Sequence, residues 1–277
     1  MSMVINTNTM AINAQRNLSR TSNSLSTSMA RLSSGQRITA AKDDAAGLAI
    51  SEKMKAQIRG LGQAERNAND GISLVQTAEG AMDEISGMLI RMRELGVQAA
   101  NGTSDTAQKG FLANEFNELS SEISRIANST EFNGTNLTNG DTSTVTLQVG
   151  INNDDNSKIT VNLANVTATG LGVNTGSGGL SISDASSAGS ALATLDTAIT
   201  TLSEQRGVLG AAQNRLSSTV RNLATTRENL SASNSRIRDV DVAEESVAMT
   251  RSQILMQAGT AVMAQANQVP SMALSLI

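Results

Sequence analysis

Leucines recur at every seventh position near the C-terminal end of the chain. The positions are Leu195, Leu202, Leu209, Leu216, Leu223 and Leu230. A repeat of seven keeps one side of a helix facing a partner, turn after turn. This ladder therefore predicts a long helix over about 190–237 that packs against another helix.

A second ladder in the first half of the chain supplies a partner. It includes Leu61, Val75, Met82 and Leu89. Apolar or small residues from Ala64 to Ala99 repeat three positions later, so the stripe predicts a helix over about 54–100. Asn101-Gly102 is predicted to end this helix. Alternating spacings of three and four around Phe116 predict a shorter helix over 105–130. The two leucine-rich ladders are expected to form one intramolecular seam.

Both ends of the chain carry further apolar rows. The N-terminal row contains Leu18, Leu25 and Leu32, and the C-terminal rows contain Val247, Ile254, Leu255, Val262 and Val269. Ordering one residue costs about 1–2 kcal/mol and burying one Leu or Val returns about 1.5–3 kcal/mol, so two such helices alone hardly break even. We expect them to become fully ordered only when other chains cover them. Pro270 is expected to end or kink the last helix.

The middle of the chain, from about 134 to 190, is rich in Gly, Asn, Thr, Ser and Asp. Alternating apolar residues from Val145 to Val149 and from Ile159 to Leu163 predict a β-hairpin at about 143–165. A hairpin alone is marginal in water, so we expect it to lean on a helix. The stretches 176–179 and 186–190 are expected to be connecting segments.

These elements predict a mainly α fold. Its centre is a long-helix, coiled-coil-like bundle formed by both halves of the chain, with a small β-hairpin and paired terminal helices. We predict a terminal-helix domain made of residues 1–40 plus 240–277 and a helical bundle domain over 41–239. We expect no separate domain in the middle segment of about 56 residues.

The amino-acid composition limits the reactions and ligands that the chain can support. The chain has no Cys, His, Trp or Tyr and a net charge of −4. Zinc sites, thiol nucleophiles and Ser-His triads are thereby excluded, and we predict no enzyme activity, no metal and no cofactor. No basic patch with interleaved aromatic residues favours nucleic acid. Polar residues such as Gln257 and Gln265 interrupt the apolar C-terminal stretch, so no membrane insertion is expected.

Two carboxylate pairs remain, Asp43-Asp44 and Asp154-Asp155. A catalytic pair must converge in a pocket that separates the pKa values of its members, and residues adjacent in sequence rarely do so. Helix capping or an ion pair is the favoured interpretation for Asp43-Asp44.

Several sequence blocks resemble one family. They are VINTN (4–8), RLSSGQRITAAKDDAAGLAI (31–50), RNANDGIS (66–73), RELGVQAANGT (93–103), EFNG (131–134), NLSASNSRIRD (229–239) and QILMQAGTAVMAQANQVPSMALSL (253–276). The chain is similar to bacterial flagellins over roughly residues 1–134 and 190–277. The resemblance implies a subunit that self-assembles into the extracellular flagellar filament for swimming motility.

The resemblance also implies particular roles and partners. The terminal rows (Leu18, Leu25, Leu32, Val247, Ile254, Leu255, Val262 and Val269) would pack in the inner tube of the filament. Export would proceed without a cleaved signal peptide, through the flagellar export apparatus and with an export chaperone docked on Met272, Leu274 and Leu276. Cap and junction proteins would contact the polymer. A vertebrate flagellin-sensing toll-like receptor would contact Arg91, Glu94, Leu95 and Glu115.

Three alternatives stand beside this interpretation. A hook-filament junction protein shares terminal helices of this type, but the match at RNANDGIS argues against it. A cytoplasmic coiled-coil scaffold is weakened by apolar ends that would aggregate without a lattice. An enzyme lacks the residues that its chemistry requires.

Overall fold

The computed structural model describes residues 7–175 and 179–274, with side chains up to residue 268. The long helices are α1 (Thr9–Ser34), α2 (Ala45–Ala100), α3 (Thr106–Ser129), α4 (Ala185–Arg238) and α5 (Val242–Leu274). Four short strands lie between α3 and α4, namely β1 (Glu131–Phe132), β2 (Thr135–Asn136), β3 (Thr144–Gln148) and β4 (Lys158–Asn162). The predicted mainly α class, with a small hairpin and paired terminal helices, is confirmed.

The chain divides into two compact units. The terminal unit comprises Met1–Ile58 and Glu228–Ile277, and the central unit comprises Arg59–Arg227. The division falls inside α2 and inside α4. The predicted domain boundaries near residues 40 and 240 remain a prediction about the assembled molecule.

The core of the central unit is built from the two heptad ladders. Leu61, Val75, Met82, Leu89, Leu195, Leu202, Leu209, Leu216 and Leu223 are all buried. Phe116 and Ile123 of α3 join the same core. Leu230, which belongs to the terminal unit, is only half-buried. The ladder is therefore buried within the bundle as far as Leu223.

Ion pairs flank this core and tie α2 to α4 in antiparallel register. Arg227 contacts Glu65 at 2.7 Å, and Arg206 contacts Asp83 at 2.9 Å. In the Arg93–Asp196 pair, 2.6 Å apart, α2 supplies the arginine and α4 supplies the carboxylate, which is the reverse of the other two pairs. The side chains of these pairs are between 23% and 68% exposed, so water screens the attraction and the pairs favour one register more than they stabilise the fold.

The predicted hairpin is confirmed, and it leans on a helix. β3 and β4 pair antiparallel, with Val145 opposite Val161 and Leu147 opposite Ile159. Asn67 Nδ2 of α2 donates a hydrogen bond of 2.9 Å to the Gln148 carbonyl. The missing side chain of Gly71 on α2 makes room for Leu147.

Two boundaries differ from the sequence expectation at the helix starts. α2 begins at Ala45 because Asp44 Oδ1 accepts a hydrogen bond of 2.8 Å from Gly47 N–H, which caps the helix. α4 begins at Ala185, so the stretch 186–190 is helical and not a connection. Asp184 Oδ1 accepts from the N–H groups of Ser186 and Ser187 there. α5 also continues through Pro270 to Leu274 and does not end at the proline.

Part of the middle segment contributes to the core in a way that the sequence did not reveal. Val166 and Val173 are fully buried although they lie outside any strand or helix. Ser120 Oγ of α3 donates 3.0 Å to the Val173 carbonyl, and Thr138 Oγ1 donates 2.9 Å to the Ala127 carbonyl. The first of these buried bonds satisfies a backbone carbonyl of the loop, and the second satisfies a carbonyl in the last turn of α3. The described part of the segment between α3 and α4 thus packs against α3 through these residues.

Candidate functional site

α1 and α5 of the terminal unit form an antiparallel pair. Asn8 Nδ2 donates 2.8 Å to the Ala266 carbonyl near one end, and Arg31 faces Glu245 at 3.6 Å near the other. Between them Leu18 lies against Gly259, where an added Cβ would sit 3.3 Å from Leu18 Cδ1. The two helices therefore share one seam along most of their length.

The backbone joins this pair at the end of α1. Gly35 adopts φ 69° and stops the helix. The chain that follows bridges to the segment between α4 and α5. Arg37 N–H donates 2.7 Å to the Arg238 carbonyl, and Val240 N–H donates 3.1 Å to the Gly35 carbonyl. Arg238 also forms an ion pair with Glu52. These contacts hold the start of α5 beside the end of α1.

The leucines of α1 point into the seam. Leu18, Leu25 and Leu32 are half-buried at seven-residue intervals, and α5 is the helix that they face. This row is therefore part of the predicted pairing of the terminal helices. Gly259 and Ser252 lie on the side of α5 that faces α1. Because both residues are small, they leave room for the leucines of α1.

A different part of α5 is exposed. The sequence-predicted residues Val247, Ile254, Leu255 and Val262 are 59%, 60%, 53% and 57% exposed. At 100° per residue they form two adjacent rows that lie away from the seam. We call these four residues the outer apolar face of α5. Val269 belongs to the same row by sequence, but its side chain lies outside the described residues.

Four branched aliphatic side chains exposed along one side of a helix are unusual on a protein surface that has no binding partner. Polar residues occupy another side of the same helix, among them Gln253 and Gln257, which are also exposed. The helix therefore has a seam side, an apolar side and a polar side. Exposed Arg251 lies among Val247, Ile254 and Leu255, so the apolar side also contains one charged side chain. An exposed apolar stripe of this kind marks a site of protein–protein or membrane contact. Among the described helices none is both long and apolar enough to cross a membrane.

A second predicted cluster lies in the central unit, where α2 meets α3. Arg91 Nη2 contacts Glu115 Oε1 at 2.8 Å, and Arg91 Nη1 contacts Glu94 Oε2 at 3.0 Å. The two carboxylates raise the pKa of the Arg91 guanidinium, Glu115 having the larger effect. All three side chains are about half exposed or more. The structure thus brings Arg91, Glu94 and Glu115 together.

Leu95 does not belong to that surface. Its side chain is fully buried in the core of the central unit. Leu95 was grouped with Arg91 and Glu94 through the family resemblance. It lies about 40° around α2 from Arg91, and that rotation places it on the side that faces the core. In the folded chain Leu95 supports the helix and is not available to a partner.

The paired carboxylates have structural roles. Thr39 Oγ1, Ala40 N–H and Thr39 N–H donate to Asp43, and these hydrogen bonds hold the pKa of its carboxyl below the ordinary value. Asp44 caps α2, and Asp154 accepts from Ser157 N–H at 2.9 Å. Within the described residues no three carboxylates come together as metal ligands. The predicted docking residues Met272, Leu274 and Leu276 lie outside the described side chains.

Comparison with known proteins gives a consistent result. Residues 5–143 match the model of the bacterial flagellin N-terminal helical region, and residues 192–277 match that of the bacterial flagellin C-terminal helical region. A flagellin from Halalkalibacterium halodurans is 48% identical over 275 residues, covering 99% of this chain and 100% of the relative. A flagellar filament core protein from Brachyspira hyodysenteriae is 46% identical, with coverage of 99% and 100%.

Solved structures resemble the fold. The crystal structure of Bacillus cereus flagellin is 31% identical, with a TM-score of 0.50, and covers 57% of this chain and 88% of that one. A flagellar hook-associated protein from Vibrio parahaemolyticus superposes with a TM-score of 0.59 over 71% of this chain and 100% of that one. Its identity is 13%, so that likeness concerns the fold alone.

Proposed function

The chain belongs to the bacterial flagellin family and is a structural subunit of the flagellar filament, and from that premise we propose that the outer apolar face of α5 is a surface by which subunits pack against one another. The observation that carries this proposal is the exposure of Val247, Ile254, Leu255 and Val262, each above one half. Burying such side chains stabilises an interface by about 1.5–3 kcal/mol each. A polymer of many copies covers them without any other partner.

The proposal assigns different tasks to the three sides of α5. The seam side holds α1 and α5 together within one subunit, and the apolar side joins subunits. Because the helix pair buries little on its own, its full ordering is coupled to assembly. This arrangement fits the inner-tube position that the family resemblance implies for the terminal helices.

Substitution of Ile254 by Asp tests the proposal. A charge in the middle of a buried interface leaves an uncompensated group, so we expect Ile254→Asp to abolish filament formation in a seeded sedimentation assay. Gln257→Asp is the matched control, since it adds the same charge to the polar side of the same helix, and it should still polymerise. Equal loss of polymerisation in both variants, or filaments from Ile254→Asp, would contradict the proposal.

The cluster of Arg91, Glu94 and Glu115 supports a second proposal, that this surface contacts a host flagellin-sensing receptor. The three side chains present both signs of charge within one exposed patch, held by two ion pairs. Such a patch favours a partner with complementary charges.

Arg91→Ala tests this second role. We expect weaker receptor binding by the monomer, because the guanidinium that organises both carboxylates is lost. Arg93→Ala is the matched control, since Arg93 is equally exposed and forms a comparable ion pair, but with Asp196 of α4. A surface plasmon resonance assay that shows the same affinity for both variants would exclude the cluster as the contact.

Export through the flagellar apparatus without a cleaved signal peptide, chaperone docking on the C-terminal residues, and contacts with cap and junction proteins are further proposals from the family. They concern Met272, Leu274 and Leu276 in part. The filament-subunit assignment does not depend on them.

A further inference from the structure

Methionine accounts for all the sulfur in this chain. It holds twelve methionines and no cysteine. Peroxide chemistry at sulfur therefore acts on thioethers alone, and its outcome depends on which methionines are accessible.

Three methionines lie on the seam side of α5. Met249, Met256 and Met263 follow one another at seven-residue intervals, and each is half-buried. The same row of the helix contains none of the outer apolar residues. These three side chains therefore pack towards α1 within the subunit, while part of each stays accessible.

The opposite positions on α1 are small. The contact of Leu18 with Gly259 sets the antiparallel register, and stepping along both helices places Met249, Met256 and Met263 at the levels of Ser28, Thr21 and Ala14. Long unbranched thioethers on one helix thus face short side chains on the other. Along this row of α5, the methionine side chains supply the apolar volume between the two helices.

The seam is also open to solvent near one of these levels. A cavity of about 740 Å³ is lined by Ser28, at the level of Met249, and by Ser252, about one turn further along α5. In the central unit Met88 is half-buried, whereas Met82 and Met92 are fully buried in the core. A small oxidant in solution can reach the seam methionines without unfolding the chain, whereas Met82 and Met92 require the bundle to open.

We propose that Met249, Met256 and Met263 form a peroxide-sensitive modification site that controls assembly. The thioether sulfur attacks one oxygen of hydrogen peroxide, the O–O bond breaks, and an S–O bond forms. The sulfur loses two electrons, the peroxide gains them, and water leaves. The product is methionine sulfoxide, which is polar and can be reduced back by the two epimer-specific sulfoxide reductases.

The modification weakens the helix pair because the new oxygen has no partner built for it. Thr21 Oγ1, at the level of Met256, already donates its proton to the Asn17 carbonyl at 3.0 Å. An unpaired buried acceptor opposes packing. The inference rests on the proposed role of the terminal helices in assembly, and it adds that this assembly is switched by the oxidation state of one methionine row.

The test uses the full chain as a dilute monomer treated with hydrogen peroxide. We expect mass spectrometry of peptides to show oxidation of Met249, Met256 and Met263 before Met82 and Met92. The critical concentration for seeded polymerisation should rise by about tenfold, the factor that one unpaired buried polar group produces. Oxidised seam methionines with an unchanged critical concentration would overturn the inference.

Two variants make the assignment specific. The triple variant Met249→Leu, Met256→Leu, Met263→Leu keeps the apolar volume and should polymerise equally well before and after treatment. Met10→Leu with Met29→Leu is the control, because those methionines are 59% and 56% exposed outside the seam, and it should stay as sensitive as the unmodified chain. Protection by the control and not by the triple variant would assign the switch elsewhere.

Two further measurements keep the result decisive. If the triple variant fails to polymerise even untreated, the three single variants Met249→Leu, Met256→Leu and Met263→Leu replace it: reduced sensitivity to peroxide in any of them supports the site, and unchanged sensitivity in all three refutes it. A chain that ends before residue 242, and therefore lacks α5, distinguishes the proposed packing role of the terminal helices from the proposed methionine switch. Filaments from the truncated chain would refute the role of the terminal helices itself, whereas a truncated chain that fails while the oxidised chain polymerises refutes only the methionine switch.

Discussion

Single carboxylates decide where the long helices of this subunit begin. Asp44 caps α2 and Asp184 caps α4, each through side-chain oxygens that accept backbone N–H groups otherwise left without partners. Hydrogen bonds from Ser187, first from its N–H and then from its hydroxyl, keep the pKa of Asp184 below the ordinary value, and Ser186 N–H adds to them. The charged form of Asp184 is therefore the form that the folded chain favours.

Replacement of Asp184 by Asn should flatten the dependence of stability on acid pH. A carboxyl whose pKa is lower in the folded chain stabilises it above the unfolded pKa of about 3.9, and that contribution disappears as pH falls through the folded value. Asn still caps a helix, so stability at pH 7 should change little. Urea unfolding of the monomer at a series of pH values from 7 to 2 measures the effect. An unchanged slope below pH 4 in Asp184→Asn would show that another group carries it.

At the level of elements, the hairpin is attached to the bundle through a gap in α2. Gly71 is buried, and a Cβ at this position would overlap the side chain of Leu147 and lie 3.4 Å from Leu216 Cδ1. The glycine costs helix propensity but lets strand β3 approach α2 and α4 together. Two other glycines of α2, Gly80 and Gly87, have open space where a side chain would be.

Gly71→Ala should lower the free energy of unfolding by about 1–3 kcal/mol, because Leu147 must leave its place between the two helices. Gly80→Ala is the matched control on the same helix and should raise that free energy by up to about 1 kcal/mol through helix propensity. Urea denaturation of both variants measures the difference. A stabilising effect of Gly71→Ala would mean that the hairpin does not depend on this gap.

At the level of the whole molecule, the two units differ in how much of their stability is their own. The central unit has a continuous core that includes Val75, Met82 and Leu202. The described part of α5 contains one buried apolar side chain, Ala266, and leaves its outer apolar face exposed. A unit with so little buried apolar area opens easily until something covers it.

Amide hydrogen exchange should show this difference directly. In dilute monomer we expect weak protection for residues 9–34 and 242–274 and strong protection for the buried stretches of α2 and α4. In the filament the terminal helices should become strongly protected, because neighbouring subunits cover them. Equal protection of the terminal helices in both states would contradict folding coupled to assembly.

Periodicity predicted the elements well because it reports directly on burial. The ladder from Leu195 to Leu223 and the row through Val75 and Leu89 each repeat the spacing that a helix needs to keep one side inside. The alternation at Val145 and Leu147 predicted the strand for the same reason. Val166 and Val173 escaped prediction because they lie in irregular backbone, where burial follows no period. Leu95 was included in the receptor-contact surface through the family resemblance, and its full burial shows that a resemblance over a stretch of helix does not separate core-facing from exposed positions.

The sequence by itself determined that this chain is mainly helical, that its two halves form one bundle and, through its long matching blocks, that it belongs to the flagellin family. Local spacing suffices for the first two conclusions, and the matching blocks alone carry the third. Only the tertiary structure decided which apolar rows are satisfied within the subunit. Leu18 and Val247 look alike in the pattern, yet the first packs against α5 and the second is exposed. The reason is that a heptad row specifies that a partner exists, whereas the register between two helices specifies which row meets it.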